Sequence, residues 1–582
     1  MRIIRRVTSG DKAILDTLGI QNIRYANKKY RLSKYVVTHI PEDDPTTMLL
    51  LNTVTGTIIS ITNTEYDDVV ADKIKNTNNF LYFYLIQYWF LVPEDFDEKT
   101  MVNLIRNTMY NTVPLTSYND QIDHYVILTT TGCNARCSYC YQCGTRTEVM
   151  TSKTADQVVK FIMKHSAKAK KTPNISWFGG EPLSNFNAIV EITEKLNKNN
   201  FKFTSSIITN GYLLCKEVAD YLKDNAYLGH AQITIDGVGE EYNKVKNYVY
   251  KQTDPFDIVI KNLKYALEKG IRISVRLNVG PDNLEQLKAV SDYIYNNVWN
   301  ELAEKTQTRL SLYTHSLYEE FDKEVLAIIH KNRLELNKYI FDQFGIDSRF
   351  IRTAYYHTTE GIKAQSCMSD NPYSVMINPL GQIGKCEHHV LDDLYGTIWD
   401  DSNLSIDFNA IMHWQYIKDE IPELCDNCKY YPSCINSKDC KGCEFCCEDR
   451  LKTLDYETQY KIEFEYREAM RNDINDVHLE FDLGNTSNDD IDLSEIQTLE
   501  IDNDNYYILN TMNVFNDNYV AMIKTNSIDP TIEVLRYKFD DNNGLDLFEI
   551  EVLEEYIVVF NIFSRLIDKR IINKIISNKG GE

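Results

Sequence analysis

The middle of this chain is predicted to be α/β: a parallel sheet curved into an open, partial (β/α)6 barrel. Two observations predict it. Strand and helix signals alternate strictly between residues 120 and 315, and the helical segments carry apolar residues near helical spacing with breakers at their ends. Alternation of this kind builds right-handed βαβ units. Six units are too few for a closed eight-fold barrel. A third observation sets the ends apart: a Cys-rich stretch at 367–450, and short mixed α+β segments at both termini.

The elements run as follows. In residues 1–110, Thr47–Thr62 reads as two β segments around a turn at Gly56, Tyr66–Lys75 as a helix, and Leu85–Glu98 as a segment broken by its Pro. Core strands are expected at His124–Thr130, Asn174–Phe178, Phe203–Thr209, Ala231–Asp236, Ile271–Val279 and Thr308–Tyr313. Helices are expected at Ser152–Lys168, Phe186–Asn197 and Phe256–Lys269, the last stopping at Gly270. Residues 321–366 read as helical, then irregular. Residues 367–450 show little periodicity and are expected to need metal to fold. Residues 451–505 read as helical, then an acidic linker. Residues 506–582 read as four strands followed by an amphipathic helix ending near Arg570.

Bulk properties narrow the function. A chain of 582 residues exceeds one core and implies three or four domains. A formal charge of −23 argues against a nucleic-acid partner, which needs a basic face. The longest apolar run, Tyr84–Val92, is too short to span a bilayer, and no apolar core follows the Arg-containing start. A cytoplasmic protein without membrane contact is the expectation.

The cysteines carry the chemistry. Nearly all fourteen lie in two stretches, Cys133–Cys143 and Cys367–Cys447, which reads as metal binding rather than disulfides. In CNARCSYC, Cys133, Cys137 and Cys140 offer three thiolates from one loop just after a strand. Three thiolates serve three irons of a [4Fe–4S] cube and leave the fourth open. Taken alone, the motif equally suits zinc with His124 as fourth ligand. The next three strands end in WFGGEPL, ITNG and ITIDG, at the carboxyl ends where α/β folds place ligands.

With these motifs in place, residues 120–315 resemble the radical S-adenosylmethionine (SAM) superfamily. The resemblance implies that SAM binds the open iron through its amino and carboxylate groups. Gly179, Gly180 and Glu181 would contact the methionyl amine, with Glu181 accepting its hydrogen bonds. Tyr139 holds the aromatic position before the third Cys, and Thr209 lies in the ITNG run. Thr234 stands where a hydroxyl often contacts the ribose. Lys246 stands where an Arg commonly binds the SAM carboxylate, and cannot make Arg's bidentate fork. Arg276 and Asn278 are further candidates, of which at most one is expected to face the site.

Residues 367–450 resemble the SPASM extension of peptide-modifying radical SAM enzymes, which carries two auxiliary [4Fe–4S] clusters. The pattern is Cys367-x13-Gly381-x4-Cys386, then Cys425-x2-Cys428-x5-Cys434, then Cys440, Cys443, Cys446 and Cys447. By this resemblance Cys367, Cys386 and Cys440 serve one cluster. Cys425, Cys428, Cys434 and one of Cys443, Cys446 and Cys447 serve the other. Two departures stand out: five residues separate Cys434 from Cys440 where the family has three, and no additional Cys stands just upstream of Cys367. A zinc ribbon is the alternative for Cys425–Cys443. Cys143 and Cys215 fall outside the patterns. Glu387, after Cys386, stands where the sulfatase-maturing branch has an Asp proton acceptor, which makes it the catalytic candidate beside His388 and His389. Residues 1–110 resemble the small winged-helix modules that hold leader peptides.

The resulting expectation is a peptide maturase. It would cleave SAM reductively and use the 5′-deoxyadenosyl radical to form a cross-link or thioether in a ribosomal peptide. The partners implied are a precursor peptide or protein substrate and a reductant such as flavodoxin or ferredoxin. A sulfatase-maturing enzyme that forms formylglycine and a non-catalytic Fe–S redox sensor are the alternatives.

Overall fold

In the computed structural model, the structure describes residues 1–5, 29–111, 121–249, 254–317, 321–345, 361–362, 368–369, 371, 373–399, 405–406, 423–434, 447–471, 496–501, 504–514, 517–524, 532–539, 545–550, 559–560, 563 and 567. The chain divides into two compact units. The first holds Met1–Asn52, Thr57–Phe96 and Glu465–Glu582; the second holds Thr53–Gly56 and Asp97–Phe464.

The N-terminal part of the first unit is an antiparallel sheet of β1 (Arg2–Arg5), β3 (Val36–His39), β4 (Thr47–Asn52) and β5 (Ile58–Thr62), in the order β1-β5-β4-β3. A small ribbon pairs β2 (Tyr30–Leu32) with β6 (Leu91–Pro93). Helix Asn63–Val70 starts in a reciprocal cap: the Thr62 hydroxyl accepts from the Glu65 N–H, and the Glu65 carboxylate accepts from the Thr62 N–H. The expected Tyr66–Lys75 helix is therefore displaced: it starts earlier, at this cap, and stops at Val70, followed by the short helix Ile74–Thr77.

The second unit is built on β7 (His124–Thr130), β8 (Asn174–Gly179), β9 (Thr204–Thr209), β10 (Leu228–Thr234), β11 (Arg272–Val279) and β12 (Leu310–Ser316), all parallel. These are the six strands expected from the alternation. Helices Ser152–His165, Phe186–Lys198 and Pro255–Glu268 lie between them as expected. Each strand turns one face to the helices, where Tyr125, Ile127, Ile175, Trp177, Ile207, Ala231, Ile233, Val275 and Leu312 join one core. Removing that much apolar surface from water dominates the stability of the unit.

The other, concave face is polar at its N-terminal end. His124 Nδ1 and Ser374 Oγ lie 2.9 Å apart, His124 Nε2 and Ser176 Oγ 3.2 Å, and Ser176 Oγ and Ser206 Oγ 2.8 Å. His230 Nε2 reaches Ser274 Oγ at 2.9 Å, and Ser274 Oγ reaches Ser311 Oγ at 3.0 Å. Buried polar groups survive here because they satisfy one another.

The Cys-rich stretch is less irregular than its sequence suggests. β13 (Ser374–Ile377), β14 (Gln382–Gly384), β15 (Gly396–Thr397) and β16 (Ser405–Ile406) extend the barrel sheet to ten strands, with β13 parallel to β7. The signal was missed because these strands have two to four residues, too short to show a period.

At the C-terminal end, β17 (Thr498–Ile501), β18 (Asp504–Val514), β19 (Asp517–Lys524), β20 (Ile532–Phe539) and β21 (Leu545–Phe548) form a five-stranded antiparallel meander. β17 lies within the expected acidic linker. Val559, Phe560 and Phe563 pack on the sheet's apolar side.

Candidate active site

Parallel strands put their carboxyl ends together, so the loop after β7 and the ends of β8, β9 and β10 share one mouth. Three consecutive threonines fix the loop. The Thr130 hydroxyl donates to Glu148 O at 2.8 Å, Thr131 N–H donates to Glu148 O at 3.0 Å, and Met150 N–H returns to Thr129 O at 2.9 Å. Cys133, Cys137 and Cys140 are held, half-buried, inside this closed loop.

The end of β8 presses directly on that loop. Gly180 N–H donates to Thr130 O at 3.0 Å, and Glu181 N–H donates to Gly132 O at 2.9 Å. A Cβ on Gly179 would stand 2.1 Å from Thr130 O, and one on Gly180 2.4 Å from Gly132 O. Gly179 also has φ +146°, which L side chains rarely adopt. Both glycines are thus required by backbone approach, whatever else they contact.

Glu181 is 1% exposed. Its Oε1 accepts from Leu183 N–H (3.1 Å) and the Thr209 hydroxyl (2.8 Å), and Oε2 accepts from Asn210 N–H (2.8 Å). A carboxylate offers about four lone-pair sites, so one stays open for a further donor. Burial pushes this carboxyl up to about 7, against the three hydrogen bonds, which pull it down. Thr209 therefore reaches the site through Glu181. Asn210, which the sequence did not single out, ties the same carboxylate to the loop through its amide, 2.6 Å from Asn134 Oδ1.

Lys246 is held by protein partners. Its Nζ lies 2.9 Å from Asp236 Oδ2 and donates to the Tyr139 hydroxyl oxygen at 2.8 Å, while the Tyr139 hydroxyl donates to Asp236. Its backbone carbonyl accepts from Arg136 N–H at 2.9 Å. Lys246 and Tyr139 together brace the cysteine loop against β10. Thr234 ends β10 on the concave face, half-buried.

Arg276 and Asn278 correct the sequence expectation. They share a face, with Arg276 Nε donating to Asn278 Oδ1 at 2.8 Å, because residues two apart on a strand point the same way. His124 is also excluded as a fourth ligand. It starts β7 at the far end of the barrel, roughly 20 Å of strand from the cysteine loop, and spends both ring nitrogens on serines.

The donor set fits a multi-iron group. Among the described residues, no three His, Cys, Asp or Glu side chains converge enough to hold one metal ion. Cys133, Cys137 and Cys140 nevertheless act on one another, and burial first, then the neighbouring charges, push Cys133 up to about 11. A cube that takes one sulfur per iron suits three half-buried thiols delivered by one closed loop.

Of the second cysteine set, Cys367, Cys440, Cys443 and Cys446 lie outside the described residues. Cys386 is buried after β14. Cys425, Cys428 and Cys434 sit in successive tight turns, with Cys428 N–H donating to Cys425 O at 3.3 Å and Cys434 N–H to Tyr431 O at 3.3 Å. Burial, with Cys434 and Cys425 adding, pushes Cys428 up to about 11. Cys447 precedes helix Glu448–Arg471. The two cysteine regions touch among the described residues: the Tyr141 ring stacks on His388 at 4.4 Å, and its hydroxyl donates to Glu387 O at 3.5 Å. Glu387 Oε2 is buried without a hydrogen-bond partner among the described residues.

Residues 127–294 match the radical SAM superfamily. A radical SAM cyclopropyl synthase of Paramaledivibacter caminithermalis is 23% identical over 402 residues, which cover 62% of this chain and 80% of that one. A cysteine-type anaerobic sulfatase-maturating enzyme of Clostridium perfringens is 25% identical over 361 residues, covering 58% and 93%. Among solved structures, native anSMEcpe with bound AdoMet gives a TM-score of 0.45 at 18% identity, over 60% of this chain and 100% of that one. Streptococcus suis SuiB bound to S-adenosylmethionine gives 0.40 at 15%, over 72% and 99%.

Proposed function

We propose that this chain, which carries a radical SAM domain and is an enzyme of that superfamily related to peptide and sulfatase maturases, modifies a ribosomally made peptide by forming a cross-link or thioether. When bound, the cluster and SAM supply reductive cleavage of a carbon–sulfur bond and a carbon-centred radical that abstracts hydrogen. Cys133, Cys137 and Cys140 would hold the cluster. The Gly179–Glu181 run fixes the loop, and the open lone pair of Glu181 would take the methionyl amine. Two auxiliary clusters on the SPASM-like cysteines complete the reading.

The observation that carries it is the contact of Tyr141 with His388 and Glu387. It seats the Glu387 main chain, at the position where the resemblance expects a proton acceptor, against the residue that follows Cys140, and Glu387 Oε2 is buried without a hydrogen-bond partner among the described residues. The same carboxylate supports the second reading, formation of formylglycine on a sulfatase, and a curated relative with that activity covers a similar share of the chain. The test is to incubate anaerobically reconstituted enzyme, dithionite and SAM with short Cys- or aromatic-rich peptides encoded beside the gene. Loss of hydrogen from such a peptide supports the maturase. An aldehyde on a sulfatase peptide, trapped by a hydrazide, supports the second reading and rejects the first.

A further inference from the structure

On the concave face of β10–β12, just below the mouth, the hydrogen-bond donors outnumber the acceptors. Arg276 is half-buried there. Its recorded partners, Asn278 and Tyr313, are both neutral, and no carboxylate ion-pairs with it among the described residues. A guanidinium has five N–H donors, so several remain free. Tyr313 lies beside Arg276, and its hydroxyl donates to Gln232 Oε1. That chain fixes the orientation of the Gln232 amide and leaves its Nε2 buried without a hydrogen-bond partner among the described residues. Arg333, on the helix-facing side of β12, is by contrast matched by Glu457 at 2.7 Å. A buried donor without an acceptor and a guanidinium without an anion are each costly, and here they adjoin.

We propose that Arg276, supported by Gln232 and Tyr313, is a specificity-determining site for a carboxylate of the substrate: in a peptide, an Asp or Glu side chain at or beside the modified residue. The site deepens the peptide reading above and rests on it for the word peptide only. SAM's own carboxylate is a poor occupant. It shares one carbon with the amine expected at Glu181 on the end of β8, and β11 lies three strand spacings away, roughly 14 Å along the sheet. Glu181, the methionyl group and Arg276 together would have to span it, and the SAM-affinity arm of the test below decides this occupant. A bidentate arginine–carboxylate pair, by contrast, matches both the fork and its neutral flank.

The test uses full-length, cluster-reconstituted, SAM-loaded protein in equilibrium dialysis. The probes are acetyl-Ala-Glu-Ala-amide, its neutral isostere acetyl-Ala-Gln-Ala-amide, and glutarate. The acidic peptide is expected to be retained at least tenfold better than the neutral one. Arg276→Gln should erase that preference, and Arg276→Lys, which keeps the charge without the fork, should keep part of it. SAM affinity should stay unchanged in both variants. Retention of glutarate but of neither peptide upholds the carboxylate site while rejecting a peptide as its bearer. Equal retention of all probes by the unaltered protein and Arg276→Gln overturns the proposal. So does a variant that loses SAM affinity instead, because Arg276 would then serve the cofactor. Should Arg276→Gln fail to fold, Arg276→Lys and the unaltered protein's preference between isosteres decide it.

Discussion

Lys246 Nζ and Asp236 Oδ2 are 2.9 Å apart, with the two side chains 3% and 1% exposed, and the pair stands between the cysteine loop and the end of β10. Burial opposes the lysine's charge, but Asp236 foremost, then Tyr139, outweigh it and hold the ammonium well above its ordinary range. Removing one partner leaves the other charge buried and uncompensated, a loss of about 3–5 kcal/mol. Lys246→Met should therefore lower stability by that order in denaturant unfolding. The double variant with Asp236→Leu should cost less than Lys246→Met alone. A double variant that costs the sum of the two single variants would show that the pair is not coupled.

The glycine run gives a steric prediction. Gly180→Ala places a methyl 2.4 Å from Gly132 O and 2.6 Å from Thr131 O, both backbone atoms that cannot rotate away. The cysteine loop must shift, so the variant should lose about four of roughly twelve irons and keep the rest, given four per cluster. Iron analysis after anaerobic reconstitution checks it. Full iron content in Gly180→Ala would mean the loop tolerates displacement.

Glu181 gives a pH dependence. Its folded value of about 7 lies above that of an unfolded glutamate, roughly 4.3. Between those values the folded chain holds the extra proton, so this group's contribution to stability is full below the lower value. It is lost as pH rises through the upper one. Glu181→Gln should flatten that slope between about pH 4.5 and 7, seen in chemical denaturation of cluster-free protein. A donor brought to the carboxylate favours its ionised form, so SAM should also bind more tightly as pH rises past 7. An unchanged slope in the variant would assign the titration to another group.

Much of the barrel was legible because its strands and helices are long enough to show their periods. β7 begins and ends where its apolar and threonine residues do, His124 to Thr130. The site was legible where a motif is contiguous, as in Cys133–Cys140 and Gly179–Glu181. It was not legible where partners are distant in sequence. Nothing local to Lys246 announces Asp236 and Tyr139, 10 and 107 residues away. Asn210 likewise acts through Glu181 and Asn134, which only the fold brings near. The strand β13 was hidden for another reason: four residues carry no period, and its place beside β7 is decided by pairing.

The last prediction concerns peptide recognition. The sheet of β1, β3, β4 and β5 belongs to one compact unit, and the barrel with its cysteine loop belongs to the other. If residues 1–110 hold a leader peptide, deleting them should abolish peptide modification and leave the substrate-free cleavage of SAM intact. The barrel carries Cys133–Cys140 and Glu181, so the chemical step does not need the N-terminal sheet. That sheet would only raise the local peptide concentration, which tethering can bring to about millimolar. The loss should therefore appear in KM long before kcat, and excess leader peptide alone should inhibit competitively. The two readouts to compare are 5′-deoxyadenosine released without peptide and peptide modified at low and high concentration. Restoration of modification by very high peptide concentration would support tethering. An unchanged KM in the truncated enzyme would make residues 1–110 a cap and shift the substrate toward a protein recognised at the barrel mouth. Iron content of the truncated protein accompanies both readouts, because a collapsed cysteine loop would lower substrate-free SAM cleavage as well.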